Sequence, residues 1–121
     1  MTAKTPILVA EDEAMLRVLA VEMLEDAGFQ VFEAGDGVEA LELLKANPQI
    51  ALLVSDIKMP RMDGYALVTA GLEFKPDLKV LLMTGYSQDP PPHFLKAPDI
   101  QILHKPFNLE KLCSAALEMT A

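Results

Sequence analysis

Cysteine is almost missing from this 121-residue chain: Cys113 stands alone, so no internal disulfide can form. Its spacing from Leu109, Leu112, Ala116 and Leu117 puts it on the apolar stripe of a helix, as a small buried hydrophobe rather than a reactive thiol. Long hydrophobic runs are absent too. None approaches the roughly 20 residues of a membrane span, and the opening MTAKTP lacks the apolar core of a secretory signal. These absences point to a soluble, cytoplasmic protein. Basic residues are scarce: ten Lys and Arg against eighteen Asp and Glu leave a net charge of -8. Direct nucleic-acid binding needs a basic footprint to displace counterions, so that class of function is disfavoured. There are no internal repeats or low-complexity tracts, and no G-x-x-x-x-G-K-[ST] loop for direct ATP use.

Apolar runs of strand length, alternating with segments of helical period, are what the chain does contain. PILVA (6–10) reads as the first strand, and residues 13–27 as a helix with Leu16, Leu19, Met23 and Ala27 on one face. Gly28 stops that helix, as glycine does at a C-terminal position needing positive φ. FQVFEA (29–34) is the second strand, and Asp36 in the turn GDG caps a helix through about Asn47. The third strand is 50–55, followed by a helix from about 64 to 74 closed by Pro76. Strands four and five are 78–84 and 99–104, and Asn108 caps the last helix. Continuously apolar strands alternating with helices, within the length of one domain, predict an α/β fold with a parallel sheet covered on both faces. Between Gly85 and Ile100 stand Pro90, Pro91, Pro92 and Pro98, so the helix due there is short or absent.

In an open parallel sheet, ligands bind beyond the carboxyl ends of the strands. Those ends carry Glu11-Asp12, Ser55-Asp56, Thr84-Gly85 and His104-Lys105-Pro106. Each alone has a bland explanation: an acid pair before a helix, an acid at a turn, a backbone-bonding hydroxyl, a solvated lysine. Together they place three carboxylates, a hydroxyl and an ammonium on one edge. Clustered acids repel one another unless a cation joins them, and all-oxygen ligation suits Mg²⁺. A lysine and a threonine then remain for phosphoryl oxygens, which fits phosphoryl transfer onto a carboxylate, with Asp56 as nucleophile.

In their order and spacing, EDE (11–13), DIKMPRMDG (56–64), TG (84–85) and KPF (105–107) resemble the receiver domain of two-component response regulators, across essentially the whole chain. The resemblance implies a flavodoxin-like strand order 2-1-3-4-5. It implies Asp56 as phosphoacceptor, Asp12 as direct Mg²⁺ ligand, Glu11 acting on the ion mainly through water, and the Lys58 carbonyl completing the protein ligands. Thr84 and Lys105 would each hold a phosphoryl oxygen, Lys105–Pro106 would be cis, and Met59-Pro60 and Asp63-Gly64 would shape the loop, Gly64 at positive φ. The phosphoryl donor would be a phosphohistidine on a histidine kinase or phosphotransfer protein. Phosphorylation would shift a two-state equilibrium that a partner reads, and the domain would hydrolyse its own acyl phosphate.

The chain departs from that pattern at Ile102, where the family's switching aromatic is due; Tyr86 is the nearest candidate replacement. His93 and His104 carry no expected metal role. A haloacid-dehalogenase-type phosphatase would want a second acid where Lys58 stands, and a flavodoxin-type binder a Ser/Thr/Gly loop where Glu11-Asp12-Glu13 stands. A receiver that interacts without being phosphorylated is the third alternative. With a short tail after Leu117, the expected context is the receiver of a hybrid kinase or a regulator acting through protein contacts, although a stand-alone protein fits as well.

Overall fold

The computed structural model describes residues 4–84, 99–104 and 109–120. Five parallel strands, β1 (Pro6–Ala10), β2 (Gln30–Ala34), β3 (Leu52–Asp56), β4 (Lys79–Thr84) and β5 (Ile100–His104), form one sheet ordered β2-β1-β3-β4-β5. Helices α1 (Ala14–Asp26), α2 (Gly37–Ala46), α3 (Gly64–Phe74) and α4 (Leu109–Thr120) cover it. The doubly wound α/β architecture is the expected one. Residues 1–3, 85–98, 105–108 and 121, and the side chains of Thr84, His104 and Leu109, lie outside the description. So do the expectations for the proline-rich stretch, Tyr86, His93, the Asn108 cap and the Lys105–Pro106 bond.

Strand alternation builds two cores. Leu8, Leu53, Val80 and Leu82 point to one face and pack with Ala40 and Leu44 of α2 and Leu67 and Val68 of α3. Ile7, Val9, Leu52, Val54, Leu81 and Met83 point to the other and pack with Ala20, Val21 and Leu24 of α1 and Leu112, Ala116 and Met119 of α4. β3 is buried at all five positions, which is why its sequence shows no polar alternation.

Local chemistry sets the helix ends. The Asp36 carboxylate accepts from the Glu39 amide at 2.8 Å, capping α2 as expected, and Asp63 does the same for α3 through the Ala66 amide, also at 2.8 Å. Gly28, at φ +103, ends α1 as the sequence predicts. Lys79 donates to the Met119 carbonyl at 2.6 Å, placing a cation at the negative end of α4.

The stripe expected to bury α1 needs correction. Ala20, Val21 and Leu24 face the core, whereas Leu16 and Leu19 are exposed together with Met15 and Val18. Apolar residues surround the first turns of this helix, so periodicity alone does not decide which stripe packs. The observed phase carries Arg17 onto the inward side, one turn before Ala20 and Val21.

Cys113 is half-buried, and its thiol donates to the Met23 carbonyl across the α1–α4 contact at 3.5 Å. Burial, and secondarily the Asp26 carboxylate, push its pKa above the ordinary thiol value. The thiolate therefore forms at a higher pH than that of a free cysteine. Alkylation by iodoacetamide at pH 8 should run roughly tenfold slower than for free cysteine, and denaturant should abolish the difference. A rate equal to that of free cysteine would contradict the burial.

Candidate functional site

β1 lies between β2 and β3, so the chain order reverses around it, and the carboxyl ends of β1 and β3 flank this switch point. The register pairs Ala10 with Ser55, which sets Glu11 beside Asp56 just beyond it. One carboxylate oxygen each from Glu11, Asp12 and Asp56 lie within 4.8 Å of one another. Glu11 and Asp56 are 3 % and 8 % exposed, so two of the three acids are withdrawn from water while Asp12 faces it.

Asp56 is the last residue of a fully buried strand, and the peptide that follows it is fastened through both its carbonyl and its amide. The Ser55 hydroxyl donates to the Asp56 carbonyl at 2.8 Å, the Ile57 amide to the Met83 carbonyl at 3.2 Å, and the Gly64 amide to the Ile57 carbonyl at 2.7 Å. The Lys58 amide makes a long 3.4 Å bond to Asp56 Oδ1. The Lys58 amide thus sits beside the carboxylate.

Gly64 opens α3, but it is not at positive φ; among the described residues only Gly28 and Arg61 are. Its reason is space. A Cβ there would come within 2.5 Å of the Asp56 carbonyl oxygen and 2.8 Å of the Ile57 Cα. The positive φ belongs instead to Arg61, at +68°, spanned by a 2.7 Å bond from the Met62 amide to the Pro60 carbonyl. Arg61 reaches Asp36 at 3.2 Å, and Gly37 packs so closely on Met62 that a Cβ would strike it. The turn between β2 and α2 thereby braces the loop that follows Asp56.

Thr84 ends β4 opposite His104, on the same sheet edge as the acids. Lys105 and Pro106 lie outside the described residues. Arg17 is a site neighbour that only the fold reveals: it donates to the Glu11 carbonyl at 2.9 Å and pairs with Glu33 at 3.2 Å.

The donor set fits a hard divalent ion. At Mg²⁺–oxygen distances of about 2.1 Å, adjacent ligand oxygens stand about 3 Å apart and opposite ones about 4.2 Å. Three carboxylate oxygens within 4.8 Å are compatible with two direct ligands and one acting through water.

Fold and site together define a doubly wound α/β domain with an acidic cluster able to hold a metal at its switch point. The chain matches the response regulator receiver domain family over residues 7–117, and it belongs to that family. It is similar to the response regulator receiver protein CpdR of Brucella abortus, 39 % identical over 93 % of this chain and 94 % of that protein. It is likewise similar to the sensor kinase CckA of the same organism, 35 % identical over 98 % of this chain but only 13 % of the kinase. Its fold matches the crystal structure of a receiver domain protein from Clostridium thermocellum with a TM-score of 0.87 and 26 % identity, over 95 % of this chain and 93 % of that one. Such a domain thus recurs both as nearly a whole protein and as a small part of a large kinase.

Proposed function

We infer that the chain is the phosphoacceptor of a two-component relay, with Asp56 receiving the phosphoryl group. The observation that carries this reading is the convergence of Glu11, Asp12 and Asp56 at the switch point, with Asp56 rigidly presented by a buried strand. An Asp56 carboxylate oxygen attacks phosphorus on the donor, a P–O bond forms as the donor's P–N bond breaks, and the departing imidazole takes up a proton from solvent. Hydrolysis later returns the carboxylate and inorganic phosphate. Mg²⁺ bound by Asp12, Asp56 and the Lys58 carbonyl, with Glu11 acting through water, would neutralise the charge gathered between the acids and the phosphoryl oxygens. Thr84 and Lys105 each hold one of those oxygens within this reading. In this reading a histidine kinase or phosphotransfer protein supplies the group, and the reaction takes place in the cytoplasm.

Incubation with Mg²⁺ and acetyl phosphate tests it: mass spectrometry should find one added phosphoryl group, and EDTA should prevent the addition. An unchanged mass with Mg²⁺ present would overturn the reading.

A protein donor must cover the rim of the pocket to bring its imidazole within reach of Asp56. Met15, Leu16, Val18 and Leu19, exposed on α1 immediately after the acidic loop, supply apolar area for that contact. Val18→Glu should slow transfer from the protein donor by about tenfold or more while leaving acetyl phosphate labelling unchanged. Equal loss with both donors would assign the effect to the pocket instead.

A further inference from the structure

We propose that Arg17 is a positioning residue that sets the acidic loop for its metal ion; this rests on the reading that Glu11, Asp12 and Asp56 hold Mg²⁺. The peptide joining Glu11 to Asp12 carries both acids of the first strand end, so its orientation decides where their side chains point. That segment is held from two sides. The Glu11 amide donates to the Ala34 carbonyl at 3.1 Å, and the Glu11 carbonyl accepts from Arg17 Nη1 at 2.9 Å. The second bond acts on the linking peptide itself.

The guanidinium is seated rather than swinging in solvent. Its side chain is 21 % exposed, lies one helical turn before the buried Ala20 and Val21, and is fixed by the 3.2 Å contact of its Nε with Glu33. Gly35 leaves room for it: a Cβ at that position would approach Arg17 Nη1 to 3.3 Å. Arginine suits the task because its fork serves two acceptors in fixed directions, which a lysine does not match.

Electrostatics alone would argue for the opposite effect, since a cation beside three carboxylates competes with the metal. Glu33 compensates that charge, so Arg17 contributes alignment with little opposing field. Groups that orient ligands from behind are commonly worth about tenfold or more in metal affinity. The geometry gives Arg17 that role here.

The test is Mg²⁺ titration by calorimetry on wild type, Arg17→Met, Arg17→Lys and Asp12→Asn, with thermal melting of each. Met keeps the aliphatic stem and removes the donors; Lys keeps the charge and one donor. The Met variant should bind Mg²⁺ about tenfold more weakly with a melting temperature close to wild type, and Lys should recover part of the loss. A Met variant within twofold of wild type overturns the proposal, as does a Lys variant no better than Met. Failure of wild type to bind Mg²⁺, or undiminished binding by Asp12→Asn, would instead overturn the metal reading on which it rests.

Discussion

Asp56→Asn should abolish phosphorylation while leaving the fold intact. Asparagine has the same shape, so the backbone bonds that fasten this position, from Ser55 to the Asp56 carbonyl and from Ile57 to Met83, are retained. The nucleophilic oxygen is not: a neutral amide offers phosphorus no anionic oxygen to attack. Incorporation from acetyl phosphate should fall on the order of a thousandfold or more, to background. Replacement also removes one of three clustered negative charges, so without Mg²⁺ the variant should melt at or above the wild-type temperature. Mass spectrometry and a thermal melt read the two effects separately. Undiminished labelling would move the acceptor to another residue.

Gly64→Ala should damage both stability and chemistry. The added methyl would meet the Asp56 carbonyl oxygen at 2.5 Å and the Ile57 Cα at 2.8 Å, and both are backbone atoms with no side-chain freedom to yield. Forcing extra volume into such a contact costs about 1–3 kcal/mol. The strain falls on the end of β3, so the strand carrying Asp56, or the start of α3 that Asp63 caps, must shift. Chemical denaturation should show the loss of stability. The labelling rate should fall by about tenfold even where the protein is fully folded, because a displaced nucleophile misses its attack geometry. A variant with wild-type stability and rate would show that the loop relaxes freely.

Gly64 also shows where sequence reasoning stopped. The motif marks this glycine as special, but a glycine serves either a positive φ or a close approach, and a linear pattern does not distinguish them. Coordinates assign it to close approach and give the positive φ to Arg61. The α1 stripe has a similar cause. Leu16 and Leu19 compete with Ala20, Val21 and Leu24 for the core, and packing against the sheet and α4 favours the second set. With that rotation Arg17 turns toward the acids, which no spacing rule announces. Ile102 is more tractable: it stands partly buried against the core shared with α2 and α3, as an ordinary strand residue would.

Local chemistry written along the chain determined the order of elements, the parallel sheet and the edge on which Glu11, Asp12 and Asp56 meet. Period-two and period-3.6 patterns, the Asp36 cap and the Gly28 stop all act over a few neighbouring residues. Only the tertiary structure decided which helix face is buried, why residue 64 must lack a side chain, and that a guanidinium from α1 grips the acidic loop. Those outcomes depend on contacts between segments distant in sequence, where shape and space choose among local options that are nearly equal in energy.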